Sequence, residues 1–281
     1  MDSKFNVAVV GATGAVGQAL LDILMEREFP INRLFALASH RTVGRIIESG
    51  TMQLEVEDLE YFDFRQVDLA LFSAGGSISA QYAPKAVSAG AIVVDNTSNF
   101  RLDPEVPLIV PEVNLHALKA HRGIIANPNC STMQMVVALK PIYDVAGIAR
   151  INVATYQAVS GAGKRAIEEL SQQTKAILMG EKLIADGTET QIGFNAIPHI
   201  DVFQENGYTK EEMKMVLETQ KIFEDQTVLV NPTAVRIPVF YGHSEAVHIE
   251  TRNPVSVSTV RAILNDSPGI TVIDEQRPGG Y

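Results

Sequence analysis

Short, nearly continuous apolar runs alternate with amphipathic stretches through the first half of the chain. Phe5–Val10 reads as a buried strand, and Ala15 to Arg27 as a helix whose apolar side is Leu20, Leu21, Ile23 and Leu24. Leu34 to Ala38, Val67 to Phe72 and Ala91 to Asp95 read as further strands, with a helix around Ala80 to Ser88. Apolar strands alternating with helices predict a parallel sheet covered on both faces. After Asn129 the texture changes. Ile151 to Gln157 alternates like a half-exposed strand. Lys164 to Met179 and Glu211 to Phe223 read as helices, and Ala234 to Phe240 and Glu245 to Thr251 as strands. The pattern predicts an α/β first domain over 1–129 and an α+β second domain over 130–281 with a mostly antiparallel sheet.

Composition narrows the partners. A net charge of −10 argues against nucleic acid. It also means that an anionic substrate needs locally placed Arg or Lys, which makes basic residues in apolar settings informative. No apolar run approaches the roughly 18 residues of a membrane span. Met1-Asp2-Ser3-Lys4 leads into a strand pattern without a signal-like segment. One cysteine in 281 residues excludes an intrachain disulfide and suits a reducing, cytoplasmic setting. No metal centre is expected.

Gly11-Ala12-Thr13-Gly14-Ala15-Val16-Gly17 stands between the first strand and the first helix. Glycines at such a turn allow the backbone to approach a pyrophosphate, which the helix N-terminus stabilises. The spacing is a variant of the dinucleotide fingerprint, so the first domain is expected to be Rossmann-like. At the end of the second strand an acid would bind the ribose 2′-hydroxyl of NAD. Ser39-His40-Arg41-Thr42 stands there instead, and a guanidinium with two hydroxyls suits the 2′-phosphate of NADP. Ser73-Ala74-Gly75-Gly76-Ser77 ends another strand with small residues, which either admit a cofactor or form a plain turn.

Asn127-Pro128-Asn129-Cys130-Ser131-Thr132 carries the single cysteine between an apolar run and a helical pattern. Open amides and the dipole at a helix start favour a thiolate, the nucleophilic form of cysteine. A buried, inert cysteine is the plain alternative. His243 is a candidate base for it, brought near by folding, or else a loop residue. Arg236, within Val235-Arg236-Ile237-Pro238-Val239-Phe240, offers a fork that matches a carboxylate or phosphate, or else faces solvent from an edge strand. Glu211 and Lys214 are three apart on one helix face, where a solvated pair is the default. Arg101 follows a strand end and reads equally as a ligand contact or a surface charge.

Taken in order, Gly11 to Gly17, Ser39 to Thr42, Asn127 to Thr132, Gln157 to Gly163 and Arg236 to His243 resemble the motifs of the aspartate-β-semialdehyde dehydrogenase family. The resemblance runs over essentially the whole chain, and the cysteine motif is its most specific part. It implies NADPH-dependent reductive dephosphorylation of L-aspartyl 4-phosphate to the semialdehyde, in lysine (diaminopimelate), threonine and methionine biosynthesis. By resemblance Cys130 forms an acyl thioester and His243 is its acid/base partner. Gln157 orients the substrate, Arg236 holds its carboxylate, Glu211 its amino group, and Arg101 and Lys214 the phosphate. Thr13, Gly14, Ala15, Val16, Arg41, Thr42, Ser160 and Gly161 would contact NADP, with Gly11, Ser39, Ser73 and Gly75 beside them. The second domain would dimerise two copies. The family continues past the equivalent of Gly279-Gly280-Tyr281, so a C-terminal segment that folds back onto the cofactor domain is expected to be missing. An N-acetylglutamyl-phosphate reductase is the nearest rival among enzymes, although its cysteine motif differs and an acylated substrate needs no Glu211. A non-catalytic paralogue is the other reading, against which the intact Cys, Gln, Arg and His set speaks.

Overall fold

The computed structural model describes residues 4–181 and 190–279, leaving 1–3, 182–189 and 280–281 outside the described residues. In chain order the elements are β1 (Phe5–Val10), α1 (Ala15–Glu26), β2 (Ile31–Ala38), β3 (Ile46–Ser49), β4 (Met52–Asp58), β5 (Leu69–Phe72), α2 (Gly76–Ser88) and β6 (Ile92–Asp95). There follow α3 (Pro111–Asn114), β7 (Ile124–Ala126), α4 (Cys130–Ala146), β8 (Ile148–Gln157), α5 (Lys164–Leu178), α6 (Lys210–Ile222), β9 (Leu229–Arg236), β10 (Ser244–Thr251) and α7 (Val257–Asn265).

The chain forms two compact units. Of the described residues, the first holds 4–109, 116–128 and 159–172; the second holds 110–115, 129–158, 173–181 and 190–279. The backbone therefore passes between the units several times, and residues 159–172 belong with the first although they follow β8.

In the first unit seven strands form one sheet in the order β3-β4-β2-β1-β5-β6-β7. The neighbours from β4 to β7 pair in parallel, as the apolar runs predict. Val7 to Val10 of β1, Leu37 of β2 and Phe72 of β5 are fully buried. The outermost pair departs from expectation: β3 runs antiparallel to β4. Ile46 to Asp58 shows buried positions on alternate residues, Ile47, Ser49, Leu54 and Val56, the mark of a hairpin with one covered face. After β1 the chain adds β2 on one side and returns to add β5 on the other. The carboxyl ends of β1 and β5 thus flank the point where strand order reverses, where doubly wound sheets bind ligands.

In the second unit three strands pair as β10-β8-β9. β10 is antiparallel to β8, but β9 is parallel to it, so this sheet is mixed rather than mostly antiparallel. β9 spans Leu229–Arg236 instead of Ala234 to Phe240. Pro238 has no N–H for a ladder, and the strand ends two residues before it. Arg236 therefore sits at the end of β9, not inside a strand. β8 alternates buried Ile151, Val153, Thr155 and Gln157 with outward Asn152 and Tyr156. Its buried face carries the site described next.

Candidate active site

Two strand-to-helix turns concentrate the chemistry, one between β1 and α1 and one between β7 and α4. In the first, β1 hands over to α1 through the glycine turn. Gly11 has φ +91°, and a Cβ on it would press on the Ala74 backbone. A Cβ on Gly17 would overlap the Gly11 carbonyl oxygen. Glycine is required at both places for the turn to lie so close to its neighbours. Gly14 is the N-cap of α1 and makes no side-chain cap, so no side chain of the turn occupies the first-turn amides.

A cleft of about 430 Å³ opens beside this turn, lined among others by Gly11, Thr13, Gly14, Ser39, Arg41 and Ser73. Ala15 and Val16 begin α1 and Gly75 is the N-cap of α2; these three and Thr42 are not among the lining residues. Thr42 closes a short turn, its hydroxyl donating to the Ser39 carbonyl at 3.3 Å. Ser160 and Gly161 lie in a separate 3₁₀ turn, Val159–Ala162, and are not among the lining residues. Asp58 and Glu60 also line the cleft. Their place in the cleft with Arg41 is not a local feature of the sequence, because it follows from β4 pairing Asp58 with Ala38 at the end of β2.

Arg101 is buried at 7% exposure, which removes the surface-charge reading. One of its terminal nitrogens donates to the Asn96 carbonyl at 2.9 Å. Asp95, at the end of β6, fixes the turn from which Arg101 emerges by accepting from Ser79 Oγ, Thr97 N–H and Thr97 Oγ1.

In the second unit Cys130 is the first residue of α4 and its side chain is exposed. Its Sγ lies 3.1 Å from His243 Nε2. Sequence separation of 113 residues hid this pair; folding of β10 beside β8 creates it. His243 Nδ1 accepts the Ala158 N–H at 3.0 Å, so the neutral ring carries its proton on Nε2, facing the sulfur. Burial holds the imidazole below its ordinary pKa of 6.5, and the Arg236 charge lowers it further, against a smaller opposing effect of Glu211. The ring is neutral at pH 7 and donates toward the sulfur, an arrangement that suits a thiolate.

One expectation about this turn is corrected. The amides at the start of α4 do not all point outward unpaired. Asn129 is the N-cap, and its Oδ1 accepts the N–H groups of Ser131 at 3.0 Å and Thr132 at 3.3 Å. The sulfur thus has His243 Nε2 and the helix start beside it, while Asn129 takes two of the first-turn amides.

Around the sulfur the unit assembles the remaining polar groups. Glu211 is 6% exposed, so the Glu211–Lys214 pair is not a solvated one. Glu211 Oε2 binds Lys214 Nζ at 2.8 Å, and Oε1 accepts from Asn129 Nδ2 at 2.8 Å and Gln157 Nε2 at 3.3 Å. Burial would raise this carboxyl, but the Lys214 charge and these three donors outweigh it and hold its pKa below 4.5. Lys214 also binds Asp201 Oδ2 at 3.0 Å, and its two carboxylates raise its pKa against burial. Gln157 is fully buried on β8 and donates to Thr155 Oγ1 as well. Arg236 donates to the Ala158 carbonyl at 2.7 Å, the residue whose N–H holds His243. Asn129, Asp201 and Glu218, whose Oε2 accepts the Asn129 N–H at 2.6 Å, were not singled out in the sequence. For Asn129 a signal existed, since Asn before a helical pattern is a cap. For Glu218 it was the spacing 211, 214, 218 on one helix face. For Asp201, in a loop, there was none.

Comparison with known proteins gives a consistent picture. Residues 6–121 match the model of a semialdehyde dehydrogenase NAD binding domain, and 139–280 that of a semialdehyde dehydrogenase dimerisation domain. The chain is 58% identical to aspartate-semialdehyde dehydrogenase of Legionella pneumophila, over all of this chain and 82% of the relative. It is 50% identical to the Bacillus subtilis enzyme of the same name, over 98% of this chain and 82% of that one. The crystal structure of aspartate semialdehyde dehydrogenase II complexed with ASA from Vibrio cholerae superposes with a TM-score of 0.94 at 56% identity, covering 96% of this chain and 81% of that one.

Proposed function

Because this chain belongs to the aspartate-semialdehyde dehydrogenase family, we propose that it catalyses the NADPH-dependent reductive dephosphorylation of L-aspartyl 4-phosphate to L-aspartate 4-semialdehyde, in the cytoplasm and as a homodimer. The observation that carries the reading is the Cys130–His243 pair, 3.1 Å apart, inside a ring of Gln157, Glu211, Lys214 and Arg236.

The roles follow from the chemistry of each group. Cys130 thiolate attacks the acyl carbon and displaces phosphate, forming a thioester; splitting the reaction this way lowers each barrier. His243 donates its Nε2 hydrogen bond to the sulfur, stabilising the thiolate before attack and again when the C–S bond breaks. Arg236 presents a guanidinium to the substrate carboxylate, and Glu211 a carboxylate to its ammonium. Gln157, locked by Thr155 and Glu211, orients the reacting carbonyl. Lys214 and Arg101 are the cations for the phosphate. Lys214 is already held by Glu211 and Asp201, so phosphate competes with Asp201 for it.

The glycine turn and its cleft fit a nicotinamide dinucleotide, since the close approach at Gly11 and the uncapped start of α1 leave backbone amides for a pyrophosphate. When bound, that cofactor supplies the hydride. We read it as NADP because Arg41 lines the cleft where the 2′-phosphate would lie. Asp58 and Glu60 favour NAD as the second reading, since carboxylates there suit a free ribose hydroxyl and oppose a phosphate. Ser160 and Gly161 remain proposed cofactor contacts.

The test is reduction of NADP by the chain with aspartate semialdehyde and phosphate, in wild type and Cys130→Ser. Wild type should turn over, and the variant should lose about 10³-fold or more while still binding NADP. Residual turnover near wild type would sink the thioester mechanism.

A further inference from the structure

Helix α6 carries a third acid that the chemistry above does not use. Glu218 lies one turn beyond Lys214 and two beyond Glu211, on the same helix face. It is 1% exposed. Its Oε2 accepts the Asn129 backbone N–H at 2.6 Å, while Glu211 accepts from the Asn129 side chain at 2.8 Å. Asn129 in turn caps the helix that begins with Cys130. The residue preceding the nucleophile is therefore held at both its main chain and its side chain by carboxylates of one helix. Stability alone is a poor account of Glu218. Burying a carboxylate is costly, and a neutral side chain with an acceptor oxygen would satisfy the Asn129 N–H without burying a charge.

We propose that Glu218 is a positioning residue for the nucleophile. By taking the Asn129 N–H it fixes the backbone one residue ahead of Cys130, and so the distance and direction of Sγ relative to His243. The same helix carries the Glu211–Lys214 pair, so α6 registers the substrate site against the sulfur as one rigid body. The inference rests on Cys130 being the nucleophile.

Three variants of the full chain separate hydrogen-bond geometry from charge. Glu218→Asp keeps the charge but withdraws the carboxylate by a methylene. Glu218→Gln removes the charge but keeps an oxygen that accepts the N–H. Glu218→Ala removes both. Turnover is measured with aspartate semialdehyde, phosphate and NADP, and Cys130 reactivity by iodoacetamide alkylation across pH, both per folded molecule as counted by thermal melts. Glu218→Asp and Glu218→Ala should lose about 10- to 100-fold in kcat, because small misplacements of a reacting group are that costly. Their KM values for both substrates should stay within about threefold, and the pH midpoint of alkylation should move. Glu218→Gln should stay within about fivefold of wild type in kcat with an unmoved midpoint. If Glu218→Ala does not fold, the Asp and Gln variants decide alone. Full kcat or an unmoved alkylation midpoint in Glu218→Asp overturns the proposal, as does a Glu218→Gln variant as impaired as Glu218→Asp. A dead Cys130→Ser beside a fully active Glu218→Asp removes this inference alone, whereas an active Cys130→Ser removes the nucleophile reading beneath it.

Discussion

The two strand-to-helix turns of this protein solve opposite problems with the same backbone geometry. After β1, glycines bring the chain close and the first turn of α1 has no side-chain cap, so its amides are left for a ligand. Before α4, Asn129 takes the amides of Ser131 and Thr132 for itself, and Glu218 and Glu211 clamp Asn129 from α6. A turn that binds an anion must leave its donors open. A turn that aims a covalent nucleophile, as proposed for Cys130, must instead be rigid, because an atom that forms a bond tolerates less displacement than one that accepts hydrogen bonds. A cysteine at a helix start is thus not enough to infer free amides at the sulfur.

The comparison can be broken most severely at the capped turn. Asn129→Ala should remove about 1 kcal/mol of helix capping and lower kcat by about 10²-fold, with NADP binding unchanged. Thermal melts, steady-state kinetics and calorimetric titration read the three quantities; unchanged kcat would mean that the clamp serves folding only. At the open turn the effects should reverse. Gly17→Ala forces a methyl onto the Gly11 carbonyl, at a cost of about 1–3 kcal/mol. It should weaken NADP by about tenfold or more, while Cys130 alkylation in the absence of cofactor proceeds at the wild-type rate. Loss of alkylation in that variant would show that the two turns are not independent.

A finer probe is the charge in the cofactor cleft. Arg41→Ala should weaken NADP by about tenfold and leave NAD unchanged or slightly tighter, since Asp58 and Glu60 remain. Equal losses for both cofactors, measured by titration, would show that Arg41 does not read the 2′-phosphate. The smallest effect expected is one of pH at the capped turn. His243 is held below 6.5, so the neutral ring persists as pH falls through 6.5 and is lost only at a lower value. The acid limb of kcat/KM should accordingly have its midpoint below 6.5. A midpoint above 6.5 would overturn the reading of His243 as a neutral ring with a lowered pKa.

Much of this was legible in the chain itself. The parallel sheet, the glycine turn, the Cys130 helix start and the 211–214 pair are local patterns, set by side-chain periodicity and by turn chemistry spanning a few residues. The β3–β4 pair escaped notice because its alternating buried positions fall in a run rich in Glu, Gln and Ser. β9 was placed late because Val239 and Phe240 extend the apolar run beyond Pro238, where the ladder had already ended.

The sequence by itself determined which residue types were available: one thiol, a glycine turn, and Arg236 and His243 a few positions apart. Only the tertiary structure decided what each does. Strand pairing of β10 with β8 set the sulfur beside an imidazole 113 residues away, and that imidazole's pKa follows from burial and a guanidinium that sequence distance conceals. The same holds for Glu211, whose burial sets its pair with Lys214 apart from a solvated one, and for Asp58 and Glu60, which strand pairing brings to the Arg41 cleft. Local propensity acts over one helical turn, whereas solvation and charge act through space. The second kind of information exists only once the chain has folded.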